Sequence, residues 1–409
     1  MQGLKANRGQ FFLLVLINAF VGSMVGLERA VLPGLSKSFN LDSYTAMLSF
    51  LIAFGISKAV FNLLTGKLAK NISRKNILLL GWIAALPVPF LLMYAPNWNW
   101  IIVANLFLGI NQGLAWSSTV IMKIDLVGEK NRGLAMGINE FAGYLSVGLA
   151  AYMASEIAVA KGFAFFPFIP GIFFSAAGLL LTLFFVKDTL PHVLHEAEKS
   201  TVPLLANVWK ETTYKHHNIG SVTINGFVNN LNDGVIWGLL PVLLLSKDFS
   251  VGQTGIIAGL YPVVWGLAQL FTGKLGDRFC KKQLITGGMI MQGGGLAVLA
   301  FSNSFLPAAV SMILLGLGTA LVYPNFLSVV AENTHPHQRA QSLSIFRFWR
   351  DSGYVFGAIL SGILADAFGI PATLIIVALL TALAGVYAQL RMCCTFKLLW
   401  SGKMCRESF

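Results

Sequence analysis

Lys58, Glu140, Asp233, Arg347, Arg350 and Asp351 stand inside long apolar stretches of a 409-residue chain, and the chemistry open to ionisable residues in such a setting is narrow. A charge kept in hydrocarbon is expensive, so each is a functional candidate that needs a named partner. A carboxylate there is suited to taking up and releasing a proton. An arginine is suited to holding a carboxylate, because its planar fork donates two parallel hydrogen bonds. Arg347, Arg350, Asp351 and Tyr354 recur at i, i+3, i+4 and i+7, which gathers them on one face of a helix. Asn225, Asn229 and Asn232 recur at i, i+4 and i+7 with Asp233 beside them, a polar stripe that does not belong against lipid.

Lys58, Glu140 and Arg347 each lie about 12 Å from the inner end of their stretch at 1.5 Å per residue, so they form one layer. Two readings of that layer stand side by side. In one, Lys58, Arg347 and Arg350 outnumber Glu140 and Asp351 and leave a positive surplus for an anionic or zwitterionic solute. In the other, the charges are interhelical ion pairs clamping an inner gate, with Asp351 neutralising Arg350. A solute that replaces an internal partner would unite the two. Asn62, Asn111 and Gln112 join Asn229 and Asn232 as amides that either bind a hydroxylated or carboxylated ligand or tie helices together, a contact worth about 0.6 kcal/mol. Asp233, about 21 Å along its stretch, is the first candidate for proton coupling and Glu140 the second. Glu28 and Arg29 read as an interfacial ion pair. Tyr144, Trp237, Tyr261, Trp265, Tyr323 and Tyr354 either stack on a ligand or fill packing seams.

The elements that carry these residues follow from composition. Hydrophobic residues make up 56% of the chain and charged residues 11%, against about 25% charged in soluble domains. An ordinary soluble protein is excluded. Residues 77–122 and 283–331 hold no Asp, Glu, Lys or Arg, and each run is long enough for two crossings at about 20 residues apiece. Apolar stretches near 11–32, 44–66, 76–94, 100–122, 133–158, 163–186, 219–245, 253–273, 284–302, 306–330, 341–366 and 371–391 make twelve spans. The stretch after the basic start is too long for a signal peptide and lacks a small-residue cleavage site, so it reads as a retained first helix. The net charge of +12 reflects topology rather than nucleic acid: 22 of the 29 Lys and Arg, Lys123 among them, fall in the segments on one side. The positive-inside bias puts both termini in the cytoplasm.

Cys280, Cys393, Cys394 and Cys405 fall in or near cytosolic segments and are expected to be reduced. A polar linker at 187–218 separates a bundle of six spans at 1–186 from another at 219–392, followed by a cytoplasmic tail at 393–409. A shift of 207 residues aligns AsnLeuLeuThrGlyLysLeu at 62–68 with GlnLeuPheThrGlyLysLeu at 269–275 without a gap. It also brings Arg74 and Lys75 onto Lys281 and Lys282, Arg132 onto Arg339, and Glu140 onto Arg347. Such parallel repeats place a solute site at their interface near mid-membrane.

Gly273, Asp277, Arg278, Lys281 and Lys282 match the Gly-x-x-x-Asp-Arg-x-Gly-Arg-[Arg/Lys] loop of the major facilitator superfamily, with Cys280 at the position of its Gly. The first-half copy keeps Gly66, Arg74 and Lys75 but carries Lys70, Asn71 and Ser73 at the Asp, Arg and Gly positions. ValLeuProGlyLeu at 31–35 and LeuGlyIleAsnGlnGly at 108–113 also resemble that family, the latter without the Arg often found early in its helix. The resemblance covers the whole chain. It implies an all-α membrane fold of twelve transmembrane helices in two six-helix bundles related by pseudo-twofold symmetry. It further implies gating by the loop residues, with Asp277 latching near Gly133 beside Arg278, Arg74, Lys75, Arg132 and Arg339; Lys70 cannot play the equivalent part.

All six histidines fall in cytoplasmic loops. No Walker loop, zinc pattern or nucleophile elbow is present, which disfavours a membrane-embedded enzyme and leaves an ion or solute gradient as the driving force. No cofactor and no metal is expected. The expectation is a monomeric, multi-pass protein of a bacterial-type inner membrane whose partners are the lipid bilayer and a small-molecule solute, moved by alternating access with proton coupling. A drug or siderophore exporter and a non-transporting, transporter-like receptor remain as alternatives.

Overall fold

The structure, a computed structural model, describes residues 3–29, 31–32, 35, 37–39, 44–69, 71–127, 132–198, 200–394 and 398–399. Pro33, Gly34, Lys70 and Cys405, named above, lie outside them. The described residues form α1 (Arg8–Arg29), α2 (Tyr44–Leu68), α3 (Arg74–Ala85, continued by Pro87–Met93), α4 (Trp98–Val127), α5 (Arg132–Lys161) and α6 (Ile169–Phe185). After a linker with a short helix at Leu190–Ala197 come α7 (His217–Ser246), α8 (Val251–Gly276), α9 (Lys281–Phe301), α10 (Phe305–Glu332), α11 (Pro336–Phe368) and α12 (Ile370–Arg391). Eleven of these helices are long and apolar enough to cross a membrane. The twelfth, α11, spans 33 residues and is made more polar by Arg339, Arg347, Arg350, Asp351 and Asp366.

Local chemistry sets the helix ends. Ser73 accepts from the Asn76 N–H at 3.2 Å at the start of α3, and Ser250 with Gln253 forms a capping box at the start of α8, each satisfying backbone donors that a helix leaves free. The break in α3 falls at Leu86 because Pro87 has no N–H to donate to the turn before it. A π turn at Gln112–Trp116 interrupts α4. Phe184, Phe173 and Leu390 are exposed on the outside, as a hydrocarbon solvent requires.

Contacts divide the chain into two units, one of Met1–Gly128 with Asn139–Ser200 and the other of Glu129–Ile138 with Thr201–Phe409. Internally the units repeat one another. Within the first, α2 packs on α4 and α3 on α4 and α6; within the second, α8 packs on α10 and α9 on α10 and α12. Thr65 Oγ1 donates to the Gly113 carbonyl at 3.0 Å, and Thr272 Oγ1, 207 residues on, donates to the Ala320 carbonyl at 2.6 Å. Gly178 sits flat on the Trp82 ring, and its equivalent Gly385 sits on Met289. The offset read from the sequence is thus an offset in packing as well.

Candidate polar core and ion clusters of the two helical units

In the first unit the polar groups converge on Glu140, which is fully buried in α5. Its Oε1 accepts from Trp116 Nε1 at 3.2 Å and from Asn139 Nδ2 at 2.6 Å, while its Oε2 has no hydrogen-bond partner among the described residues. Lys123 donates to Asn139 Oδ1, and Asn18 donates to the Asn139 carbonyl at 3.1 Å. Lys123 thereby corrects the sequence reading. It is not a loop cation, because α4 continues to Val127 and buries it completely.

The remaining candidates of this unit make helix joints. Asn111 donates to the Gly81 carbonyl at 2.9 Å and Gln112 to the Val21 carbonyl at 2.8 Å, bracing α4 against α3 and α1. Asn62 accepts from the Ser117 hydroxyl. Lys58 is half-buried with Nζ 5.7 Å from the centre of the Phe54 ring. The Arg29 guanidinium lies 4.8 Å over Phe54, and Glu28 beside it is fully buried, with Arg29 acting on its carboxylate through charge.

In the second unit the α7 stripe faces inward. Asn229 and Asn232 both donate to Gln292 Oε1, at 2.9 and 3.1 Å, and Thr381 donates to Asn232 Oδ1 at 2.9 Å. Gln292 was invisible to pattern reasoning, being the single amide of the span at 284–302, with Ala85 as its counterpart under the 207-residue shift. Asp233 accepts from the Tyr261 hydroxyl, which also lies 3.2 Å from Thr319 Oγ1. The Tyr261 ring stacks on Trp265 at 5.7 Å, Trp265 meets Tyr323 at 6.4 Å, and the Arg350 guanidinium covers Tyr323 at 4.1 Å. A continuous aromatic path therefore joins Asp233 to Arg350. Arg350 donates to Asp351 at 3.1 Å. Arg347, 2% exposed, has Nε and Nη1 without an acceptor among the described residues, and both amide atoms of Gln269 are likewise unpaired. Tyr354 is half-buried, its carbonyl close against Gly234.

At the basic end of each unit the charges are paired. Arg74 Nε lies 2.8 Å from Asp125 Oδ2, which also accepts from Thr189 at 2.9 Å. Lys75 donates to the Leu183 carbonyl at 2.9 Å. Lys281 and Glu332 approach to 2.9 Å. Asp277 accepts from the Gly133 and Leu134 N–H groups at 2.9 and 3.0 Å, a carboxylate at the N-terminus of α5 where the helix dipole favours it. A side chain at Gly133 would meet the Gly273 carbonyl at 2.2 Å, so only glycine permits this approach. Burial raises the Asp277 carboxyl above its ordinary value; the two backbone N–H groups, Lys281 and Arg132 oppose it. Arg132 and Arg339 are buried, and Arg278 is exposed.

Cys280 and Cys394 form a disulfide that joins the start of α9 to the chain after α12, with Cα atoms 5.7 Å apart. This differs from the expected free thiols, because the fold brings together two residues 114 positions apart.

Two bundles of apolar helices with buried charges and matched basic loops define a class of membrane carrier. The Major Facilitator Superfamily pattern matches residues 11–216 and 222–394, and the chain belongs to that family. It is similar to the multidrug resistance protein MdtH of Aeromonas salmonicida (strain A449), 35% identical over 31% of this chain and 34% of that protein. An uncharacterized MFS-type transporter of Methanocaldococcus jannaschii is 23% identical over 57% of this chain and 64% of its own. The chain thus spans about a third of the length of the MdtH relatives it matches. Among solved structures, the human organic anion transporter MFSD10 (TETRAN) superposes with a TM-score of 0.78 at 16% identity, covering 93% of this chain and 99% of that one. The E. coli fucose:proton symporter FucP gives 0.72 at 13% identity, covering 93% and 98%. These structures share the fold.

Proposed function

We propose that the chain is a secondary active transporter that moves a small polar organic solute, anionic or zwitterionic, by alternating access, with proton coupling through Asp233. The observation that carries this reading is Arg347: a guanidinium 2% exposed, with Nε and Nη1 lacking an acceptor among the described residues, one turn from Arg350. Burying unsatisfied donors on a charged group is costly, and an anionic solute removes that cost. Asn229, Asn232 and Tyr354 would complete the site from the same unit, and Lys58, Asn62, Asn111 and Gln112 are the corresponding polar candidates of the first. Asp277, Arg278, Arg74, Lys75, Arg132 and Arg339 would govern the gate. The loop charges favour both termini in the cytoplasm, and residence as a monomer in a bacterial-type inner membrane is part of the same proposal.

The test is counterflow and pH-gradient-driven uptake in proteoliposomes, after a thermal-shift screen of metabolites identifies a bound solute. Arg347→Ala and Arg350→Ala are expected to weaken binding of an anionic solute. Normal affinity in both removes the anion site. A second reading, export of drugs, is favoured by the segment of 133 residues that is 35% identical to MdtH; uncharged lipophilic compounds or lipophilic cations emerging from the same screen would select it. Ligand binding without exchange would point to a receptor.

A further inference from the structure

The linker preceding α7 and the chain leaving α12 meet at one end of the second unit. A cavity of about 510 Å³ lies there, lined by His217, Tyr387, Leu390, Arg391 and Cys393. Arg391 closes α12, and its guanidinium donates to the Lys215 carbonyl at 3.0 Å, to the Tyr214 carbonyl and to the Tyr387 hydroxyl. All three acceptors are neutral, and among the described residues no carboxylate pairs with Arg391. The nearby Glu211 is taken by Lys215 at 2.9 Å. The end of the cavity is therefore cationic and uncompensated.

Its outer side is apolar. Leu390 is 81% exposed at the last turn of a helix apolar enough to span a membrane, and Tyr214 and Trp209 are exposed on the adjoining linker. Residues 392–394, which follow Arg391, are held in place, since the Cys393 N–H donates to Asn218 Oδ1 at 2.8 Å and Cys394 is bonded to Cys280. A cation beside an exposed aliphatic surface, on a rigid floor, suits an amphiphile with a negative head.

We propose that this cavity binds the phosphate headgroup of an anionic phospholipid, with the acyl chains running along Leu390. The Arg391 fork suits a phosphate, and basic sites at span ends attract anionic lipid heads. The setting of His216 agrees: burial holds it below the ordinary histidine range, Glu211 opposes this, and His217 and Arg391 push it further down. A bound phosphate would relieve that positive field.

The experiment uses the full chain in a neutral detergent, with dioleoyl phosphatidylglycerol, dioleoyl phosphatidylcholine and inorganic phosphate as separate probes, read by the unfolding midpoint and by lipid retained in native mass spectra. Phosphatidylglycerol is expected to be held about fivefold more tightly than phosphatidylcholine, the effect of one added cation near a lipid head. Arg391→Gln should reduce it to the phosphatidylcholine level and leave phosphatidylcholine retention unchanged. Equal retention of the two lipids by the native chain overturns the proposal. So does a stabilisation by inorganic phosphate alone that equals the lipid's, which would assign the cavity to a free anion. Because Arg391→Gln also removes the bonds to Tyr214 and Lys215, the exposed His217→Glu serves as the second variant; unchanged phosphatidylglycerol preference in it refutes the site.

Discussion

Arg74 lies 2.8 Å from Asp125 with both side chains buried, and the positions 207 residues further along, Lys281 and Glu332, approach to 2.9 Å. Both residues of the pair change identity between the halves while charge and geometry persist. The repeat is thus conserved at the level of an ion pair, each linking the start of a unit's third helix to the end of its fourth.

Breaking such a pair from one side leaves an uncompensated buried charge. Asp125→Ala is expected to destabilise the protein by about 3–5 kcal/mol, whereas the double change Arg74→Met with Asp125→Leu should be far milder. Thermal unfolding of the single and double variants in detergent measures this. Equal losses would show that the pair itself, not the stranded arginine, sets the effect.

Asp277 makes stability depend on pH in a direction opposite to an ordinary salt-bridged carboxylate. Its value is raised from 3.8 by burial, so the docked arrangement binds a proton more tightly than an exposed Asp277 does. The corresponding stabilisation is full below 3.8 and is lost as pH rises through the raised value. The unfolding midpoint of the native chain relative to Asp277→Asn is therefore expected to fall with rising pH across that window. A difference that stays flat would remove the assignment.

Tyr261 stands between Asp233 and the aromatic path to Arg350. Tyr261→Phe withdraws a donor from a buried carboxylate at a cost of about 1–3 kcal/mol. The expected result is a displaced pH dependence of gradient-driven uptake with counterflow at fixed pH retained; Asp233→Asn should abolish the gradient-driven part alone. Intact pH-driven flux in Asp233→Asn would rule out this carboxylate as the coupling group.

Gln292 accepts from two buried amides. Gln292→Leu keeps the volume, strands the Asn232 donor at about 1–3 kcal/mol and leaves Asn229 only its long contact to Thr319 Oγ1 at 3.5 Å. Denaturant titration should show a loss that Asn229→Leu combined with Gln292→Leu partly restores. No recovery would mean that the network is not coupled.

Gly178 and Gly148 provide a packing contrast. A Cβ at Gly178 would lie 2.3 Å from the fully buried Trp82 ring, whereas nothing lies within 4 Å of one at Gly148. Gly178→Ala is expected to cost about 1–3 kcal/mol through overpacking, and Gly148→Ala to be neutral or stabilising by up to about 1 kcal/mol. Unfolding midpoints that move alike in the two variants would contradict the close contact.

The span count, the twofold repeat and the inward stripe of Asn225, Asn229, Asn232 and Asp233 were all legible in the chain itself. Hydrocarbon imposes one-dimensional rules: an apolar run must be long enough to cross, polar groups within it must share a face, and a duplication leaves a constant offset. Partners were not legible. That Asn111 and Gln112 bind carbonyls of α3 and α1, that Lys123 is buried on Asn139, that Arg29 lies over Phe54, and that Cys280 meets Cys394 were decided only by the tertiary structure. The helical period says which residues share a face. The rotation of each helix and its distance from its neighbours, set by glycine contacts and by breaks such as the π turn of α4, decide what that face touches.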